Sequence, residues 1–242
     1  MNLILFTAAE VTGPLPRSDV RARHLLSVLR RSPGDTFDVG LVNGPRGKGR
    51  IETIGPETIE LSFAWDNPPG PLPPLILIVG LPRPQTARDL LRDGTTLGAT
   101  AIHFVTTARS DPNYAASSLW SSGEWRRHCL LGAEQAFDTR IPAVTWTNSL
   151  ESVAGALPHG AVRIALDHYE ATTSLGTCEF SPGLADFPVA IAFGPERGWS
   201  DADRSILRRF GFVLAHLGQR VLRVETAVVA GISILRSRRG QM

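Results

Sequence analysis

The sequence predicts an α/β protein in two parts: a small β-barrel carrying one helix, then a parallel sheet with helices on both faces. Three observations predict it. Asp66 to Pro74, DNPPGPLPP, holds five prolines and a glycine, a composition that cannot enter a helix or central strand, so it divides the chain. Before it, short strand-like runs are separated by turn signals such as Asn43-Gly44-Pro45 and Gly55-Pro56. After it, apolar runs alternate with helical periodicity. The expected domains are residues 1–68 and 72–242.

In the first part, strands are expected at Asn2 to Thr7, Thr36 to Val42, Gly49 to Ile54 and Thr58 to Ala64, with a helix over Asp19 to Leu29. In the second, Leu75 to Gly80 is a strand, Thr86 to Leu97 a helix, Ile102 to Thr106 a strand and Glu124 to Phe137 a helix. Val162 to Asp167, Val189 to Phe193 and Val213 to Leu217 complete the apolar strands. Ser200 ahead of Asp201 and Asp203 reads as an N-cap, so a helix runs to about Phe210. The last helix, Glu225 to Arg236, is apolar almost all round and predicts burial against the sheet or a second subunit.

At 242 residues and 43% hydrophobic content the chain can bury an ordinary core. Leu75 to Leu81 is too short to span a bilayer and Leu3 to Phe6 has no basic region before it, so the expected location is the cytoplasm. Cys129 and Cys178 lie far apart with no CxxC, which predicts buried thiols and neither a disulfide nor a zinc site. The net charge of +2 announces no partner. Lys48 is the sole lysine; every other cation is Arg, which forks onto phosphate.

Two loops stand out, Phe193-Gly194-Pro195-Glu196-Arg197-Gly198-Trp199-Ser200 and Leu217-Gly218-Gln219-Arg220-Val221-Leu222-Arg223-Val224-Glu225-Thr226. Each follows an apolar strand and enters a helix, the edge of an open α/β sheet where ligands sit. Their glycines let backbone approach a ligand closely. In this order they closely resemble the paired signatures GPEGG-S and LG-R-LR-ETA of the RsmE family, the SPOUT-class methyltransferases of uridine N3 in small-subunit ribosomal RNA. His24, Val28-Leu29-Arg30, Gly34-Asp35, Leu97-Gly98, Arg109-Ser110 and Glu134-Gln135 match further family segments, so the resemblance covers nearly the whole chain.

The resemblance implies a PUA-like barrel and a domain whose C-terminal strands thread a deep trefoil knot, an exception to the rule that chains avoid knots. It implies S-adenosyl-L-methionine as cofactor, no metal, a homodimer, and small-subunit ribosomal RNA as partner. Carried onto this chain, Leu166, Gly194, Pro195, Glu196, Gly198, Leu217, Gly218, Val221, Leu222 and Arg223 would form the cofactor pocket, with Asp167 beside Leu166. Arg223 is the expected catalytic cation, stabilising the N3 anion of the uracil; Glu196 is expected to cap loop amides. Arg21, Arg23, Arg30, Arg46, Arg50, Arg109 and Arg220 are the RNA-binding candidates, although eight acids share the first part with the first five.

Several positions depart from the family. Arg197 stands where the family has Gly, and a position needing positive φ would penalise it. Asp93, Thr96 and Asp138 replace expected charged residues, and an Arg-rich opening gives way to Asn2-Leu3-Ile4. A paralogue acting on another RNA site and a catalytically silent RNA-binding relative therefore stay open. Trp120, Trp125 and Trp199 read as core residues, Trp199 being the best placed of them to stack on a base. His168 beside Asp167 lacks a serine partner for a hydrolytic dyad.

Overall fold

The computed structural model describes residues 3–180 and 187–241, and divides into two compact units. Asn2, at the start of the first expected strand, lies outside the described residues.

The first unit comprises Met1–Pro71 with Ala133–Ile141. Its strands are β1 (Ile4–Phe6), β2 (Leu15–Pro16), β3 (Thr36–Leu41), β4 (Arg46–Ile54) and β5 (Thr58–Trp65), in the order β1-β3-β4-β5-β2 of one curled sheet. Among the described residues of this sheet only the β1/β3 pair is parallel. Alternate residues Phe37, Val39, Ile51 and Ile59 point inward and close a core with Ile4, Phe6, Leu15 and Leu25. The expected helix is two pieces: α1 (Val20–Arg23), capped by the Asp19 carboxylate, and a π-helical turn over His24–Val28 that ends where Arg30 adopts φ 52°.

Ala133–Ile141 joins this unit through Thr139, which accepts from the Asn43 amide at 2.8 Å and donates to the Gly44 carbonyl at 2.6 Å. The linker composition announces no such excursion.

The second unit, Leu72–Gly132 and Pro142–Met242, holds a seven-stranded, wholly parallel sheet. Its elements run β6 (Leu75–Gly80), α2 (Pro84–Thr96), β7 (Ala101–Thr106), α3 (Ser118–Ser121), α4 (Glu124–Gln135), β8 (Ala143–Ser149), α5 (Leu150–Gly155), β9 (Val162–Leu166), β10 (Thr173–Ser174), β11 (Val189–Phe193), α6 (Asp201–Arg209), β12 (Val213–His216) and α7 (Val224–Arg238). The strand order is β10-β12-β9-β11-β6-β7-β8. β6 and β11 are buried at every residue, as continuous apolar runs in a covered parallel sheet should be.

The expected helix to Phe137 stops at Gln135, because Phe137 sits at φ 56°. α6 carries the full capping box between Ser200 and Asp203. α7 buries Val224, Val228, Gly231, Ile232 and Leu235 on one face, while Val229 on the other is exposed, so its apolar circumference is half covered within this chain. Cys129 and Cys178 are buried free thiols; burial pushes Cys129 up to about 11, which leaves it unreactive. Among the described residues, no helix is long and apolar enough to cross a membrane.

Candidate functional site

Three strands of the second unit deliver their carboxyl ends to one edge of the sheet. β9 ends at Leu166, beside Phe193 of β11 on one side and Ala215 of β12 on the other. The loops leaving them, 167–170, 194–200 and 217–223, enclose a cleft of about 690 Å³.

The 194–200 loop is fixed by close packing and by a carboxylate. A side chain at Gly80 would lie 2.4 Å from Pro195 Cδ, so the bare end of β6 is what lets the proline ring settle there. Gly194 backs onto the Gly198 backbone in the same way, at 3.0 Å. Glu196 accepts from the Arg83 amide at 3.0 Å and its Nε at 3.3 Å, which ties the loop to the residue preceding α2 rather than to amides of its own loop. The left-handed conformation in this loop falls on Gly198, φ 67°, and not on Arg197. The penalty expected for Arg197 is therefore absent, and its side chain is exposed.

The 167–170 loop is held by a buried ion pair. Asp167 Oδ2 meets Arg204 Nε of α6 at 2.6 Å, with both side chains almost fully enclosed. Its other oxygen accepts the amides of Tyr169 and Glu170 at 2.6 and 2.7 Å. Burial opposes the Arg204 charge, but the hydrogen bond and charge of Asp167, with Glu170 and Asp201, outweigh it and hold that guanidinium above its ordinary pKa.

The 217–223 loop is open. Val221, Leu222 and Arg223 are exposed, and among the described residues their amides make no intramolecular hydrogen bond and Arg223 no ion pair. Unpaired amides beside exposed apolar side chains suit a ligand that is part heterocycle and part polar chain.

Of the residues expected to bind cofactor, Leu166, Gly194, Pro195, Glu196, Gly198, Leu217, Val221, Leu222 and Arg223 all line this cleft, and Asp167 and Arg220 join them. Gly218 is not among the residues lining it; it turns the chain at φ 112°. Sequence reasoning missed Arg83, Tyr169 and His216, which also line it and carry no motif signal.

The match of this chain to an RNA methyltransferase domain family extends over residues 68–236. Ribosomal RNA small subunit methyltransferase E of Treponema pallidum is 32% identical over 244 residues, covering 97% of this chain and 90% of its own. This chain belongs to that methyltransferase family. The Bacillus subtilis member is 26% identical, covering 88% of this chain and 85% of its own. The crystal structure of the Neisseria gonorrhoeae member bound to S-adenosyl methionine shares the fold, with a TM-score of 0.78 at 22% identity over 98% of this chain and 97% of that one.

Within this family member the other candidates separate by their contacts. Trp199 is not free to stack on a base: it is buried and its Nε1 donates to the Leu166 carbonyl at 3.0 Å. Trp120 and Trp125 pack on Trp146. Arg109 donates to the Arg197 carbonyl at 2.8 Å and so braces the 194–200 loop. Arg21 is engaged by Glu10 and Asp19, each at 2.8 Å, by the Leu5 carbonyl and by the Phe6 ring, which leaves it little capacity for phosphate. Arg46 lies over the Phe137 ring, Arg50 stands 4.0 Å from Glu52, and Arg23 and Arg30 are exposed.

Proposed function

We propose that this protein transfers a methyl group from S-adenosyl-L-methionine to N3 of a uridine in small-subunit ribosomal RNA. The observation that carries this reading is the convergence of the 194–200 and 217–223 loops, the two that bear the family signatures, on one cleft with unpaired backbone amides. When bound, the cofactor supplies an electrophilic methyl group on a sulfonium.

The chain's own part is alignment and charge. Rigid loops that hold the reactants in line are worth roughly 7–11 kcal/mol of barrier. With its proton lost to solvent, N3 would carry an anion shared with two carbonyl oxygens, and would take the methyl carbon as the carbon–sulfur bond breaks and S-adenosylhomocysteine leaves. Arg223 lies at the cleft wall, and among the described residues its guanidinium makes no hydrogen bond or ion pair, so it is free to meet that anion. Glu196 is occupied by Arg83 and serves structure.

Residues 1–68, which lie in the first unit, act as a PUA-like RNA-binding barrel, and 72–242 as the SPOUT methyltransferase domain, although Ala133–Ile141 packs with the first unit. Arg23, Arg30, Arg46, Arg50 and Arg220 contact RNA; Arg21, bound up in its own ion pairs, drops out of the set, and Arg109 acts by bracing the 194–200 loop. The order in which β9, β11 and β12 enter the sheet supports a C-terminal deep trefoil knot. The exposed Val229 on the face of α7 opposite its buried residues supports a homodimer, and a ribosomal RNA substrate supports a cytoplasmic location.

The test is methyl transfer from labelled cofactor to unmodified small ribosomal subunits and to their free RNA, with nucleosides identified by mass spectrometry. N3-methyluridine is the expected product. A different methylated nucleoside overturns the assigned position, and a chain that binds no cofactor overturns the enzyme reading.

A further inference from the structure

His216, the last residue of β12, belongs to none of the signature loops, yet it lines the cleft. Its main chain is pinned, because the carbonyl accepts the Leu175 amide at 2.9 Å. Its ring is pinned too: Nδ1 accepts the Gly218 amide at 3.0 Å, across the turn in which Gly218 takes φ 112°. An Nδ1 that accepts a hydrogen bond has no proton of its own. The neutral imidazole must then carry its proton on Nε2, and which nitrogen is protonated is set by the bond the other one makes. Among the described residues nothing accepts from Nε2.

We propose that His216 is a cofactor-binding residue, presenting a fixed Nε2–H donor to an oxygen acceptor of the cofactor, either a ribose hydroxyl or the carboxylate. The inference rests on the cofactor reading of the cleft. It also explains Gly218, which stays off the cleft wall and instead supplies the amide that orients the imidazole. A donor held from both sides loses little freedom when the ligand arrives, so its hydrogen bond is retained in the affinity.

His216→Asn separates the two roles of the ring. Its side-chain oxygen can replace Nδ1 as acceptor for the Gly218 amide, while the reach of Nε2 is lost. Calorimetric titration with S-adenosylhomocysteine is expected to show affinity about three- to tenfold weaker in this variant, the worth of one neutral hydrogen bond. Repeating it with 5′-methylthioadenosine, which lacks the carboxylate, identifies the acceptor. An equal loss with both ligands points to the ribose, and a loss confined to S-adenosylhomocysteine to the carboxylate. A two-bond ¹H–¹⁵N spectrum of the ligand-free native chain should show the His216 proton on Nε2, which tests the orienting bond without any cofactor. Unchanged affinity in the variant, or a proton on Nδ1, overturns the proposal. A native chain that binds neither ligand overturns the cofactor reading itself, and the proposal with it.

Discussion

Replacing Gly80 by alanine changes one hydrogen for a methyl group at the end of a central strand, yet it should disable the cleft. The added carbon would sit 2.4 Å from Pro195 Cδ and 2.7 Å from Pro195 N, where ordinary contact begins near 3.4 Å; the shortfall is 3.4 − 2.4 = 1.0 Å. β6 cannot supply that ångström, because Val79 pairs with Phe193 and Gly80 with Val105 in the parallel ladder. The proline ring is stiff, so the 194–200 loop must move. Overpacking of this kind costs about 1–3 kcal/mol of stability. A displacement near 1 Å at an aligning loop costs on the order of 10²-fold in turnover. Denaturant unfolding of native and Gly80→Ala chains, with single-turnover methyl transfer and cofactor titration of each, reads both effects. Gly13→Ala is the control, since a side chain there meets nothing within 4 Å. If Gly80→Ala unfolds within about 0.5 kcal/mol of native and binds cofactor equally well, the claim that this glycine exists to seat Pro195 is wrong.

Arg223→Ala should lower single-turnover methyl transfer by about 10²–10³-fold while leaving the unfolding midpoint unchanged, because the side chain is exposed and makes no ion pair among the described residues. Asp167→Ala strands Arg204 in a buried site and removes the acceptor for two amides. About 3–5 kcal/mol of destabilisation is expected by chemical unfolding, near the lower end if Asp201 and Glu170 retain the guanidinium. Glu124 is held down to about 2 by its hydrogen bonds to Arg88 and His128. Its folded value lies below its ordinary 4.5, so its contribution is full above 4.5 and lost as pH falls from there toward 2. Glu124→Gln should therefore flatten the stability profile of the chain across that acid range, as followed by thermal melting at stepped pH.

What the sequence made legible tracks how much of each feature is local. β6, β11 and α6 are visible because a continuous apolar run and a Ser-x-x-Asp cap are properties of a few adjacent residues. β8 and α5 escape the same reading: Thr145, Thr147, Asn148 and Ser149 break the apolar pattern, and the strand lies at the edge of the sheet, exposed or half-buried throughout. The joining of Ala133–Ile141 to the first unit depends on Thr139 meeting residues about 95 positions away, which no window can register. Signature loops located the cleft, but its orienting contacts came only with coordinates. Arg21 reads as a free cation until Glu10 and Asp19 are seen beside it, and Trp199, read as core, keeps a stacking role open until its N–H is found on Leu166. His216 belongs to no motif, and its role follows from a single amide two residues away.

The strand order has a consequence for the time course of synthesis. β6 is bordered on one side by β11, whose first pair joins Leu75 to Val189, a separation of 189 − 75 = 114 residues. At roughly 5–20 residues per second, β6 waits about 6–23 s on the ribosome for the partner that buries its open side. Through that interval an apolar strand edge stands exposed, the condition that favours chaperone capture and aggregation. β12 and α7 are made later still. The second unit therefore cannot begin as a stable nucleus at its amino end, and it should gain protection from proteolysis late and cooperatively. Chains stalled before residue 189 should be cut within β6, and chains carried through α7 should resist.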